Sequence, residues 1–284
     1  MKAYGYVGLI IILLAEIFLF TRNQVVGRWF TPIVWTGYIL LIDALVFRVT
    51  RRSLVTVDRL ELLVIASISI ACWWLFEFYN APRFWTSDLE LWWHYHNLEP
   101  NPYLRRAGYD WAFATVFPAM FLTAQFLAVT VFRSLNISRP IRFPKSVMYL
   151  SILLGAATVI VPLLFISEWL APVVWLSFIL LLDPINYFRG QPSITRDLKQ
   201  GNYRRLLSLL VAGGICGLLW EFWNYWAISR WTYTVPFLGN IKIFEMPVLG
   251  YFGFPPFAVE CWVMYIFLRS LLAARRIDLD DATI

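Results

Sequence analysis

Six carboxylic acids stand where such groups are costly: Glu16, Asp43, Glu77, Asp183, Glu221 and Glu260 all fall inside long apolar runs. A charge at the centre of a hydrocarbon layer costs roughly 3 kcal/mol or more. No Lys, Arg or His lies deep in the same runs. Each acid must therefore be carried in its neutral form, hold a cation, or face water. A neutral acid kept among aromatic rings is what acid-initiated alkene chemistry needs. It gives a proton to a double bond, and the ring faces shield the carbocation that forms. The plainer alternative is hydrogen bonding between helices, with each acid tied to a neighbour. That alternative is favoured for Asp43 and Asp183, which stand near Arg48 and Arg189, where an ion pair at a helix end would also serve. Glu16 fits a snorkelling or interface role. For Glu221, Asn224 and Glu260 the catalytic reading is preferred.

Spacing sharpens the choice. Glu221 and Asn224 are three apart and share one helix face, and Glu77 and Asn80 repeat the pattern. Asp183 and Asn186 do the same around Pro184, which is expected to bend or end its helix. The chain has 15 Trp, 14 Tyr and 23 Phe, enough to form both an interfacial belt and a lined pocket. Many rings cluster beside the acids, among them Trp73, Trp74, Phe76, Phe84, Trp85, Trp92, Trp93 and Tyr95. The candidate substrate-binding set is Glu77, Asn80, Trp220, Trp223, Trp231 and Tyr233. His94 and His96, with Glu90 and Glu99 close in sequence, read as a polar loop, because a metal site needs a fuller ligand set. Cys72, Cys216 and Cys261 lie in apolar runs without a CxxC and read as small buried hydrophobes. No nucleotide loop, catalytic triad, zinc motif or haem signature is visible, so no metal and no cofactor is expected.

These residues need a membrane-sized scaffold. Of 284 residues, 60% are hydrophobic and 15% charged, with a mean hydropathy of +0.64. A soluble domain would be less apolar and more charged. An all-α polytopic bundle of eight spans is predicted, at 4–21, 30–48, 60–80, 110–132, 147–166, 169–188, 205–227 and 248–272. Ser167-Glu168 must then make a tight hairpin. The net charge of +6 sets topology rather than contacting nucleic acid. Seventeen Lys and Arg fall on the amino-terminal side and seven on the other. Both termini are therefore expected in the cytoplasm, and the expected location is a bacterial or archaeal cell membrane.

An internal duplication runs through the chain. Trp29-Phe-Thr-Pro32-Ile-Val-Trp35 continues to Asp43, and Trp169-Leu-Ala-Pro172-Val-Val-Trp175 continues to Asp183, at an offset of 140. Cys72 with Phe76-Glu77-Phe78-Tyr79-Asn80 matches Cys216 with Trp220-Glu221-Phe222-Trp223-Asn224, at an offset of 144. Two parallel four-span repeats are read, 1–140 and 141–284. After the second, the Gly- and Pro-rich stretch through Pro247, Gly250, Gly253 and Pro255-Pro256 predicts an irregular or re-entrant backbone lining a cavity.

At Trp220-Glu221, Asn224-Tyr225, Trp231-Thr232-Tyr233 and Pro256 with Glu260, the chain resembles the membrane lycopene cyclases of the heterodimeric or two-domain type. About a quarter of the chain carries the likeness. The departures are the missing adjacent pair of acids after the proline and an extra span in each repeat. The resemblance implies acid-catalysed, cofactor-light chemistry on a carotenoid or another polyprenyl lipid. Two other readings compete. One is a proton- or cation-coupled transporter with its site at the repeat interface. The other is a non-catalytic scaffold presenting its aromatic loops. Spans one, four and five are almost wholly apolar, which disfavours a water-filled path.

Overall fold

The computed structural model describes residues 2–81, 90–135 and 139–273. Phe84 and Trp85 from the aromatic cluster, and Arg83, Arg275 and Arg276 from the charge count, lie outside the described residues. The fold is a helical bundle, and among the described residues eight helical segments are long and apolar enough to cross a bilayer. The protein is an integral membrane protein by that measure.

The first half of the chain comprises α1 (Ala3–Phe20), a short α2 (Gln24–Arg28), α3 (Phe30–Thr50), α4 (Arg59–Asn80), strand β1 (Trp93–His96) and α5 (Pro102–Val129). The second comprises α6 (Lys145–Leu164), a 3-10 turn (Glu168–Leu170), α7 (Ala171–Phe188), a short α8 (Ile194–Lys199) and α9 (Arg204–Trp226). Strands β2 (Arg230–Tyr233), β3 (Lys242–Ile243) and β4 (Met246–Pro247) follow, then a 3-10 segment (Val248–Gly253) and α10 (Phe254–Ala273). The two halves interleave. α5 packs on α9 as well as α4, and α10 packs on α4 as well as α9. α3 with α1 and α7 with α6 flank this centre. α1 and α6 turn most of their surface outward, whereas 78% of the residues in the apolar 18-residue stretch of α5 are buried. Close backbone approach seats α6: a Cβ at Gly155 would run into the Leu181 backbone nitrogen.

Most span boundaries fall within two residues of expectation, but α5 begins eight residues before the predicted 110. Asn101 caps it, its side chain accepting from the Tyr103 and Leu104 amides, and Pro102 takes the first turn. The added turns carry Arg105 and Arg106, so hydropathy alone stops short of them. The Ser167-Glu168 hairpin is a 3-10 turn, with the Ser167 hydroxyl accepting from the Trp169 amide.

Pro184 does not end α7, which runs on to Phe188. A proline deprives the carbonyl four residues earlier of its donor. That carbonyl, Leu180 O, accepts instead from Ser151 Oγ of α6 at 2.8 Å. Asp43 and Asp183 find neither arginine. Asp43 accepts from Tyr4 Oη, Ser53 Oγ and the Leu54 amide at 2.7, 2.6 and 2.8 Å. Asp183 accepts from the Ile194 and Thr195 amides and Thr195 Oγ1 at 2.7, 2.9 and 2.6 Å. At equivalent places in the two repeats, an acid near the end of one helix holds the turn into the next.

Candidate functional site

The aromatic segments gather at one end of the bundle. β1 pairs antiparallel with β2, placing Trp93 opposite Tyr233 and Tyr95 opposite Trp231. This ribbon stitches the repeats together, and one asparagine fixes each strand. Asn80 Nδ2 donates to Trp93 O at 2.8 Å, and its Oδ1 accepts from the Trp92 and Trp93 amides at 2.8 and 3.1 Å. Asn224 Nδ2 donates to Trp231 O at 2.8 Å, and its Oδ1 accepts from the Trp231 amide at 2.9 Å. Both asparagines are wholly buried, so each is a positioning residue rather than a substrate contact. Replacing Asn80 with Ala leaves three buried backbone groups without partners, at about 1–3 kcal/mol each. A drop of roughly 3 kcal/mol or more in unfolding free energy is expected, visible as a lower melting temperature in detergent.

Each strand then returns a tyrosine to the acid one turn before its asparagine. Tyr95 Oη donates to Glu77 Oε1 at 2.5 Å, and Tyr233 Oη donates to Glu221 Oε1 at 2.6 Å. Burial, then the adjoining carboxyl group, pushes both phenols well above their ordinary pKa, so both keep their protons. The two acids differ in what else reaches them. Glu77 Oε1 also accepts from Trp73 Nε1 at 3.0 Å and Trp93 Nε1 at 3.2 Å. In the second repeat the matching indole, Trp231 Nε1, donates to the Tyr233 oxygen at 2.6 Å instead. Glu221 Oε2 is buried and, among the described residues, has no hydrogen-bond partner.

Beside the ribbon lies a cavity of about 500 Å³, within the range of small-molecule sites. Its wall includes Trp35, Trp73, Trp93, Trp175, Trp220 and Trp231, together with Tyr95 and Tyr233. Trp220 stacks on Trp73 with centroids 5.3 Å apart and planes 30° apart, and it stands 5.8 Å from Trp35. Phe257 of α10 closes the inner end, packed on Trp175 at 5.0 Å and Phe76 at 5.7 Å. The Gly- and Pro-rich stretch expected to line a cavity does so through Met246, Gly250, Gly253 and Pro256.

Of the sequence-predicted residues, Trp220, Trp231 and Tyr233 reach the cavity wall. Glu221 and Glu77 are not on the wall; each is bonded to a tyrosine, Tyr233 or Tyr95, that is. Trp223 turns the other way, donating to Glu16 Oε1 on α1 at 3.1 Å, which also gives Glu16 its partner. Glu260 is not brought to Glu221. It lies one turn deeper than Phe257 on α10, wholly buried, accepting from the Phe178 amide of α7 at 3.1 Å. Among the described residues its Oε2 has no hydrogen-bond partner, and the groups near it include Cys72, Cys261 and Tyr79. Of the two acids preferred as candidate proton donors, Glu221 is bonded to a residue of the cavity wall and Glu260 is not.

The site also contains residues named among the clustered rings but left out of the candidate binding set. Trp93-His94-Tyr95 is the first-repeat copy of Trp231-Thr232-Tyr233, at an offset of 138. The segment read as a polar loop is a strand. His94 and His96 pair across it with Thr234 Oγ1 and Thr232 Oγ1 at 2.6 and 2.8 Å. Among the described residues no group of three metal-ligating side chains converges.

Compared with known proteins, the chain matches no family model, no curated protein and no solved structure.

Proposed function

We propose that this protein is an integral membrane enzyme that acts on the apolar chain of an isoprenoid or other lipid by acid catalysis. The observation that carries the reading is the Tyr233–Glu221 pair: an acid with one unoccupied oxygen, joined at 2.6 Å to a phenol on the wall of a tryptophan-lined cavity. A phenol that holds its proton tightly is a poor acid alone. With the Glu221 proton on Oε2, rotation of the carboxyl group brings that proton to the phenol oxygen. The phenol's own proton then passes to an alkene carbon in the cavity. The π pair becomes a C–H bond, and the adjacent carbon carries the positive charge. Trp231 Nε1, already bonded to the phenol oxygen, steadies the negative charge left along the relay. The faces of Trp35, Trp73 and Trp220 stabilise the cation. Loss of a proton from a neighbouring carbon restores the acid, so the net change is an isomerisation or ring closure that consumes no co-reactant.

Glu77 and Tyr95 form the companion pair. With three donors on one oxygen, Glu77 is built to accept hydrogen bonds, and its part is to place Tyr95 and the two indoles on the wall. A transporter would need a continuous polar path. Around the buried Glu260, the centre beneath Phe257 is filled by Leu209, Ala212, Cys261, Trp262 and Ile266, all fully buried.

The test is direct. Protein purified from its native membrane should carry a polyprenyl or other long-chain lipid detectable by mass spectrometry. In vesicles it should convert such a chain to an isomer of equal mass. Purified protein that retains no such lipid and converts none from a broad polyprenyl panel would remove the basis for the proposal.

A further inference from the structure

The cavity is symmetric in its aromatics and asymmetric in its charges. Arg28, Arg105 and Arg230 all line it, from α2, α5 and β2, and the carboxylates on the same wall are Glu99 and Glu168. Backbone pairing brings them together. The Ile228 amide donates to Gly27 O at 3.0 Å, drawing the Arg230 segment to Arg28. Ser229 Oγ donates to Asn97 O at 2.9 Å, drawing it to the Glu99 loop that also receives Arg105. Partners for these charges are few. Arg105 donates Nε to Glu99 O and Nη2 to Pro100 O, at 2.8 and 3.1 Å, and among the described residues it has no carboxylate partner. Arg28 stands 3.9 Å from Glu99 Oε2, beyond hydrogen-bond reach. Arg230 meets Glu245 at 3.2 Å. Across the pseudo-symmetry, at the offset of 140, the position of Arg28 is held by Glu168. The basic corner therefore exists once.

On another side, the wall is apolar and outward-facing. Trp169 and Phe252 line the cavity and are 64% and 75% exposed. In a membrane protein an exposed aromatic surface at the end of a span meets the interfacial layer of the bilayer.

We infer that the arginine corner is an anionic headgroup subsite, and that the cavity takes a single-chain lipid bearing a phosphate or diphosphate. Guanidinium forks match phosphate oxygens bidentately. The chain would slide in from the bilayer past Trp169 and Phe252 and lie along Trp35, Trp73 and Trp220, with its head held at the ribbon's edge. One charged corner gives the chain a single direction, and so decides which double bond meets Tyr233. This inference rests on the reading of the cavity as a lipid site.

The experiment compares binding of geranylgeranyl diphosphate and geranylgeraniol to the full-length protein in phosphatidylcholine nanodiscs. The diphosphate is expected to bind at least about tenfold more tightly. In the Arg105→Gln, Arg230→Gln double variant that advantage should vanish while the alcohol binds as before, which also shows that the variant is folded. Inorganic diphosphate should compete only at large excess. Equal affinity of the two lipids for the unaltered protein would overturn the headgroup subsite and leave the chain-binding cavity standing. Displacement by equimolar inorganic diphosphate would assign the arginines to a soluble anion and overturn the lipid form. Failure of both lipids to bind would instead overturn the proposed function and the inference with it.

Discussion

Glu221→Gln is expected to lower turnover by about 10³-fold, within the range by which a positioned general acid accelerates a reaction. Gln keeps the volume and the acceptor for Tyr233 Oη, so the 2.6 Å bond to the phenol can persist. What is lost is the proton that Oε2 would carry. Because the fold keeps its contacts, the melting temperature should stay close to that of the parent while product formation collapses. Tyr233→Phe should give a comparable loss, since it removes the atom between acid and cavity. Glu260→Gln should not, because Phe257 and its neighbours separate Glu260 from the cavity. Product formation measured for the three variants beside their melting curves separates the roles. Equal losses for Glu221→Gln and Glu260→Gln would contradict the relay.

Trp220→Leu carries the second large effect. Leu preserves an apolar wall but removes a ring face stacked on Trp73 and set beside Trp35. A cation over a desolvated indole gains about 2 kcal/mol, and every 1.4 kcal/mol is about tenfold in rate. Turnover should therefore fall about 30-fold, and binding of the uncharged chain should change little, because the ring's advantage exists only once positive charge develops. Kinetics in vesicles would show this as a lower kcat at nearly constant KM. Trp223→Leu is the paired control. That indole serves Glu16 on α1, so its loss should appear in stability rather than in kcat.

The membrane architecture was legible in the sequence because hydrocarbon imposes a crude requirement: a span must be long, apolar and internally hydrogen-bonded. The start of α5 was hidden because Asn101 and Pro102 begin a helix by capping, which needs no hydrophobicity. The persistence of α7 through Pro184 was hidden because it depends on Ser151, a residue 33 positions away on another helix. Within the site, Glu77 with Asn80 and Glu221 with Asn224 could be read from i,i+3 spacing, since one helix face serves both members of each pair. The strands they hold could not. A four-residue strand carries little periodic signal. The loops also vary in length, so the Trp-x-Tyr recurrence drifts out of register with the offsets of 140 and 144. Trp223 was grouped with Trp220 because the two share a helical repeat, yet packing on Trp35 leaves one ring facing the cavity and sends the other to α1. Glu260 fell near the predicted site because Pro256 does line it, and one further turn of helix was enough to take the acid out.

Solvent isotope incorporation tests the central claim most directly. The protein in vesicles is supplied with a polyprenyl chain in heavy water, and the product's carbon-bound deuterium is measured by mass spectrometry. Protonation of an alkene by the Tyr233–Glu221 pair predicts one non-exchangeable deuteron fixed to carbon for each protonated alkene, with product and label absent together in Glu221→Gln. Product that forms without deuterium on carbon, or labelling that proceeds unchanged in the variant, would contradict the account.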